Sequence, residues 1–139
     1  MHTLLLYPMF IMVGLTFIVA GVAVKNRFAS IKNNTVSAKY FRLMTGQPVP
    51  DSITKTTRNF NNQFEVPTLF YVVCTLYICL SVNSFAALLF AWLFVFFRII
   101  HAYIHITYNN IVHRMLTFWL SLLCVLALWV NLLLQNIPS

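Results

Sequence analysis

The chain has 139 residues, of which 60% are hydrophobic and only 8% charged, and its formal net charge is +7. A water-soluble domain of this length cannot hide so much apolar surface, so the chain is an integral membrane protein organised as one compact unit. The basic excess is not a nucleic-acid footprint, because Lys25, Arg27, Lys32, Lys39, Arg42, Lys55 and Arg58 all fall between the first two apolar runs, where the positive-inside rule expects a cytoplasmic loop.

The first apolar run, residues 3–24, lacks a basic leader and is too long for a signal-peptide core, so it reads as a retained span. Residues 25–51 form the basic loop; Pro48-Val49-Pro50 stiffens its end, and Asp51 or Ser52 is placed to cap the next helix. The second span covers residues 58–82, a polar head continued by an apolar run, with Pro67 expected to kink it from inside. Asn83-Ser84 turns the chain into a third span at 85–108, and Asn109-Asn110 turns it into a fourth at 111–134. Four antiparallel spans joined by short turns make an all-α up-down bundle with both termini on the non-cytoplasmic side. Cys74, Cys79 and Cys124 lie in apolar runs without metal-ligand spacing and read as small buried hydrophobes.

This topology gathers two polar stripes at the cytoplasmic face. Arg58, Asn62 and Glu65 are spaced by four and three, which puts them on one face of a continuous helix. Glu65 is one of only two acids in the chain, and a carboxylate at membrane depth is costly unless it is paired or faces water. On the third span Arg98, His101 and His105 repeat the spacing. An arginine inside a span costs at least about 2.5 kcal/mol, so Arg98 needs a partner; Glu65 is the candidate, with Arg58 competing for the same carboxylate. Arg114 opens the fourth span beside His113, either as a snorkelling anchor or as a guanidinium aimed into a polar cavity, where it binds carboxylate or favours a thiolate. His101 and His105 have the i, i+4 spacing of metal or haem ligands, but no acid or cysteine completes a zinc set, and no metal is assigned.

Arg58-x3-Asn62-x2-Glu65 and Arg98-x2-His101-x3-His105-x8-Arg114, with the string Arg58-Asn59-Phe60-Asn61-Asn62-Gln63-Phe64-Glu65-Val66-Pro67, resemble the MAPEG family, the membrane-associated proteins of eicosanoid and glutathione metabolism, and its bacterial branch in particular. The resemblance implies a four-helix subunit that assembles as a homotrimer in a bacterial inner membrane rather than the endoplasmic reticulum. It implies glutathione in a polar cleft between subunits, touched by Arg58, Asn62 and Glu65 from one and by His101, His105 and Arg114 from its neighbour, with Arg98 also counted among the glutathione-binding residues. Arg114 would stabilise the thiolate for transfer to, or peroxidase action on, a lipophilic substrate arriving from the bilayer. His105 stands where transferase members often have tyrosine, and Met115 where the prostaglandin-synthase type has serine. Two other readings stay open: a lipid-binding or scaffold protein of the same fold without turnover, and a small channel or transporter subunit.

Overall fold

The structure, a computed structural model, describes residues 1–136. It is entirely helical: a 3-10 turn at His2–Leu5 leads into α1 (Leu6–Lys32), a second 3-10 turn (Ala38–Arg42) interrupts the loop, and α2 (Asp51–Asn62), α3 (Val66–Cys79), α4 (Phe85–Ile106) and α5 (Ile111–Gln135) follow. The stretches His2–Lys32, Phe85–Ile106 and Ile111–Gln135 are each long and apolar enough to cross a membrane. Phe17, Trp92, Phe96 and Trp119 stand outward from them, as the side chains of an integral membrane protein do when lipid is the solvent. Inside, Phe70 stacks on Phe94 with ring centroids 4.3 Å apart, among buried Met12, Val19, Val73 and Leu128.

Three local expectations need correction. First, α1 does not end at Val24; it continues to Lys32, because no glycine or proline interrupts residues 25–32. At a rise of ~1.5 Å per residue its 27 residues span roughly 40 Å, about 10 Å more than a ~30 Å hydrocarbon core. Lys25, Arg27 and Lys32 therefore project from a helix rather than a loop. The stop is a Schellman motif: Asn34 adopts φ +55°, its N–H donates to Ile31 O, and Thr35 N–H donates to Ser30 O, both at 3.0 Å. Second, Pro50 occupies the N-cap position of α2 and no side chain caps it; Asp51 is the first helical residue, where its charge still suits the helix dipole.

Third, the expected span at 58–82 is not one kinked helix but two, broken at residues 63–65. Pro67 sits in the first turn of α3, where its missing N–H is not needed. Inside a continuous helix it would leave Gln63 O without a donor and collide with it. α3 alone has 14 residues, ~21 Å of helix. Arg58 and Asn62 thus lie on α2 and Glu65 in the break, so the three do not form a stripe on one helix.

Hydrogen bonds between distant residues fix the up-down order. At one end the His2 N–H donates to Asn83 Oδ1 at 3.0 Å, and the hydroxyls of Tyr77 and Ser84 donate to Asn131 Oδ1 at 2.7 and 2.9 Å. The N-terminus, the α3–α4 turn and the last turns of α5 therefore share that end. At the other end Asn59 Nδ2 donates to Ala102 O at 3.3 Å, joining α2 to α4. α4 and α5 form the most extensive helix pair. Of the cysteines, Cys74 and Cys124 are buried as expected, but Cys79, at the end of α3, is exposed.

Asn131 is the shared acceptor of a lock with no net charge. Asn131→Leu is expected to cost about 1 kcal/mol, the scale of an interhelical hydrogen bond in a membrane, and to appear as a drop of a few degrees in Tm in detergent; an unchanged Tm would remove Asn131 from the account of stability.

Candidate functional site

The α4–α5 turn builds one wall of the site. Asn109 takes φ +49°, a left-handed conformation that asparagine tolerates better than most residues. Asn110 then caps α5, its Oδ1 accepting from the N–H groups of Val112 at 2.9 Å and His113 at 3.1 Å. This places Arg114 in the first turn of α5. A cation at a helix N-terminus is unfavourable on its own, and here Arg114 Nη1 donates to Asn109 Oδ1 at 2.7 Å. Guanidinium and helix terminus together make that corner strongly receptive to an anion.

α4 supplies the floor. His101 and His105 are both buried, with ring centroids 5.8 Å apart. His101 Nδ1 lies 3.0 Å from Arg114 O; a carbonyl can only accept, so Nδ1 carries the proton, which in the neutral ring leaves Nε2 as an acceptor. His101 Nε2 and His105 Nδ1 are buried without a hydrogen-bond partner among the described residues. A pair of orphaned ring nitrogens beside a cavity is an invitation to a polar ligand.

The opposite wall comes from α2 and the break behind it. Arg58, Asn61, Asn62 and Glu65 face His101, His105 and Arg114 across a cavity of about 440 Å³, flanked on its apolar side by Ile111, Met115 and Phe118. That volume is typical of a small-molecule site. Two guanidiniums and one carboxylate give the lining a net positive charge. Arg58 and Glu65 are exposed to the opening while Asn62 is partly covered, and Asn62 Nδ2 donates back to Arg58 O at 3.1 Å.

Arg98 is the exception among the predicted site residues. It is fully buried and does not line the cavity. It also does not bond to Glu65: its Nη2 donates to Asn62 O at 2.8 Å, while Nε and Nη1 have no partner among the described residues. The α2–α3 break explains this, since it leaves the last carbonyls of α2 without helical donors. Arg98 fills that need from 36 residues away, and its charge complements the negative end of the α2 dipole. It is a positioning residue behind the cavity wall.

The MAPEG family model matches residues 5–134. The chain belongs to the MAPEG family. Membership brings membrane-bound, glutathione- or eicosanoid-related chemistry at the level of the family, whose members generally use glutathione. No curated protein and no solved structure matches this MAPEG chain. Within one chain, Arg58, Asn62 and Glu65 line the same cavity as His101, His105 and Arg114. Sequence reasoning missed Asn61, Asn109 and the apolar wall. Asn109 was legible only as a turn residue, and Ile111, Met115 and Phe118 look like any other membrane-facing side chains.

Arg98→Met keeps the bulk and removes the donor. A charge-assisted hydrogen bond is worth about 1.5–3 kcal/mol, so amide exchange at Gln63, Phe64 and Thr68 should rise roughly tenfold or more while α5 keeps its protection. Unchanged exchange at the break would show that Arg98 does not hold it.

Proposed function

We propose that this MAPEG protein is a glutathione-dependent transferase or peroxidase acting on lipophilic electrophiles, and that it works as a homotrimer in a bacterial inner membrane with both termini on the non-cytoplasmic side. The observation that carries the reading is the single 440 Å³ cavity shared by Arg58, Asn62, Glu65, His101, His105 and Arg114. The concentration of seven of the nine basic residues in positions 25–58 supports the orientation.

Glutathione carries two carboxylates, an ammonium, two peptide groups and a thiol, and the lining has a counterpart for each kind of group. Arg58 suits a carboxylate through its planar fork of donors. Glu65, exposed in the break with no cation bonded to it among the described residues, suits the ammonium. Asn62 suits a peptide group, and the orphaned His101 Nε2 and His105 Nδ1 can serve ligand N–H or O–H groups. Arg114, anchored by Asn109, is assigned to the thiolate: a free thiol with a pKa of ~8.5 is mostly protonated at neutral pH, and a guanidinium raises the reactive fraction. When bound, glutathione supplies the sulfur that forms the new bond to the electrophile as the leaving group departs with its electron pair. Ile111, Met115 and Phe118 give the second substrate an apolar approach from lipid.

With 1-chloro-2,4-dinitrobenzene as electrophile, Arg114→Ala should lower kcat/KM at least tenfold, about 1.4 kcal/mol of transition-state stabilisation, with Tm and assembly intact. Loss of assembly in step with activity would assign Arg114 to the fold instead. Glu65→Gln should weaken glutathione binding in calorimetry several-fold and leave the binding of an analogue lacking the α-amino group unchanged. No glutathione binding by an intact wild-type assembly would sink the proposal.

A further inference from the structure

A second polar concavity lies away from this cavity, at the end of α1. The segment after the Schellman stop folds back on itself: Ser37 Oγ donates to Gln47 Oε1 at 2.8 Å, and Met44 and Gly46 take φ +57° and +99° to close the turn. The closed segment surrounds a cavity of about 630 Å³ whose lining includes Lys39, Arg42, Tyr40 and Gln47. Among the described residues no hydrogen bond engages the Lys39 ammonium or the Arg42 guanidinium.

Beside it runs an apolar groove of about 260 Å³ lined by Val24, Arg27, Phe28, Ile31 and Phe41. Val24, Phe28 and Ile31 have i, i+4, i+7 spacing and make one face of α1. Val24 and Phe28 are exposed. The 3-10 turn Ala38–Arg42 contributes to both features, with Phe41 in the groove and its neighbours Tyr40 and Arg42 in the polar cavity. Arg27 bridges the two kinds of surface. Its guanidinium lies over the Phe41 ring, 5.9 Å from the centroid, and its Nε is buried without a partner among the described residues.

The depth is that of a lipid headgroup. Arg27 is 21 residues beyond Leu6, the start of α1, roughly 32 Å along the helix and so at the far border of a ~30 Å hydrocarbon core. Lys25, Arg27, Lys32, Lys39 and Arg42 crowd this border with no acid before Asp51. We propose that the end of α1 and the Ala38–Arg42 turn form a binding site for an anionic glycerophospholipid, its phosphodiester held by Arg27, Lys39 and Arg42 and an acyl chain laid along Val24, Phe28 and Ile31. Charge complementarity selects the anionic headgroup over a zwitterionic one, and the adjoining groove selects a lipid over a soluble anion.

The test is native mass spectrometry of the full chain, released from detergent after incubation with phosphatidylglycerol, phosphatidylcholine of the same acyl chains, or sodium phosphate. A cation at the membrane surface strengthens anionic-lipid attraction by about fivefold, so the wild type should retain phosphatidylglycerol over phosphatidylcholine by at least that factor. Arg27→Gln should lower that ratio about fivefold, and the pair Lys39→Gln, Arg42→Gln should lower it further, both at unchanged Tm. Lys55→Gln, which removes a charge from α2 away from the groove, should leave it unchanged. Equal retention of the two lipids by the wild type, or a preference that neither groove variant lowers, would overturn the proposal. Displacement of phosphatidylglycerol by millimolar phosphate would do the same, because the site would then be one for soluble anions.

Discussion

The buried Arg98 guanidinium, bonded to the carbonyl of Asn62 at 2.8 Å, is the contact on which the cavity depends. Pro67 cannot donate to Gln63 O in a helix running through residues 63–67, and the broken helix found instead leaves carbonyls that lipid cannot satisfy. A cation reaching from α4 answers that demand, and the partial negative charge at the α2 terminus offsets part of the cost of burying it. The same anchor sets the rotation of α4. With Arg98 turned to the break, His101 and His105, three and seven residues on, share its face and come to the cavity floor. The break also frees Glu65 from any helix, so that its carboxylate opens into the cavity instead of toward lipid.

The two ends of the bundle are held by different chemistry. At the end bearing the N-terminus, Tyr77, Ser84, Asn131 and His2 with Asn83 are tied by hydrogen bonds that include no ion pair. Such bonds in lipid are individually modest but carry no charge to desolvate. At the other end are Arg58, Glu65, Arg98 and Arg114, with the unpartnered buried ring nitrogens of His101 and His105 beside the cavity. Uncharged hydrogen bonds tie one end, and charge is concentrated at the other.

Much of this was legible in the sequence, for reasons that can be traced. Asn83-Ser84 and Asn109-Asn110 mark turns because each pair offers a side-chain acceptor to the first amides of the next helix, as Ser84 and Asn110 do. The polar spacings brought Arg58, Asn62, Glu65, His101, His105 and Arg114 to one cavity, although the first three are not on one helix. The turn at 63–65 is short enough to keep Glu65 beside α2. The break itself was not legible, since a proline two residues after Glu65 fits a kinked helix as well as a new one. Arg98, distant in sequence, decides between them. The overhang of α1 was hidden because hydropathy reports where lipid ends, not where a helix does. Arg98 was grouped with the ligand contacts because spacing gives a face, not a depth.

Cys79 gives the molecule a practical asymmetry. It is the one exposed thiol, with Cys74 and Cys124 buried, and it lies in the last turn of α3, at the end of the bundle opposite the cavity. A maleimide dye would therefore find a single address in the unmodified chain. A fluorophore there would leave Arg58, Glu65 and Arg114 untouched and could count subunits in a single assembly by stepwise photobleaching.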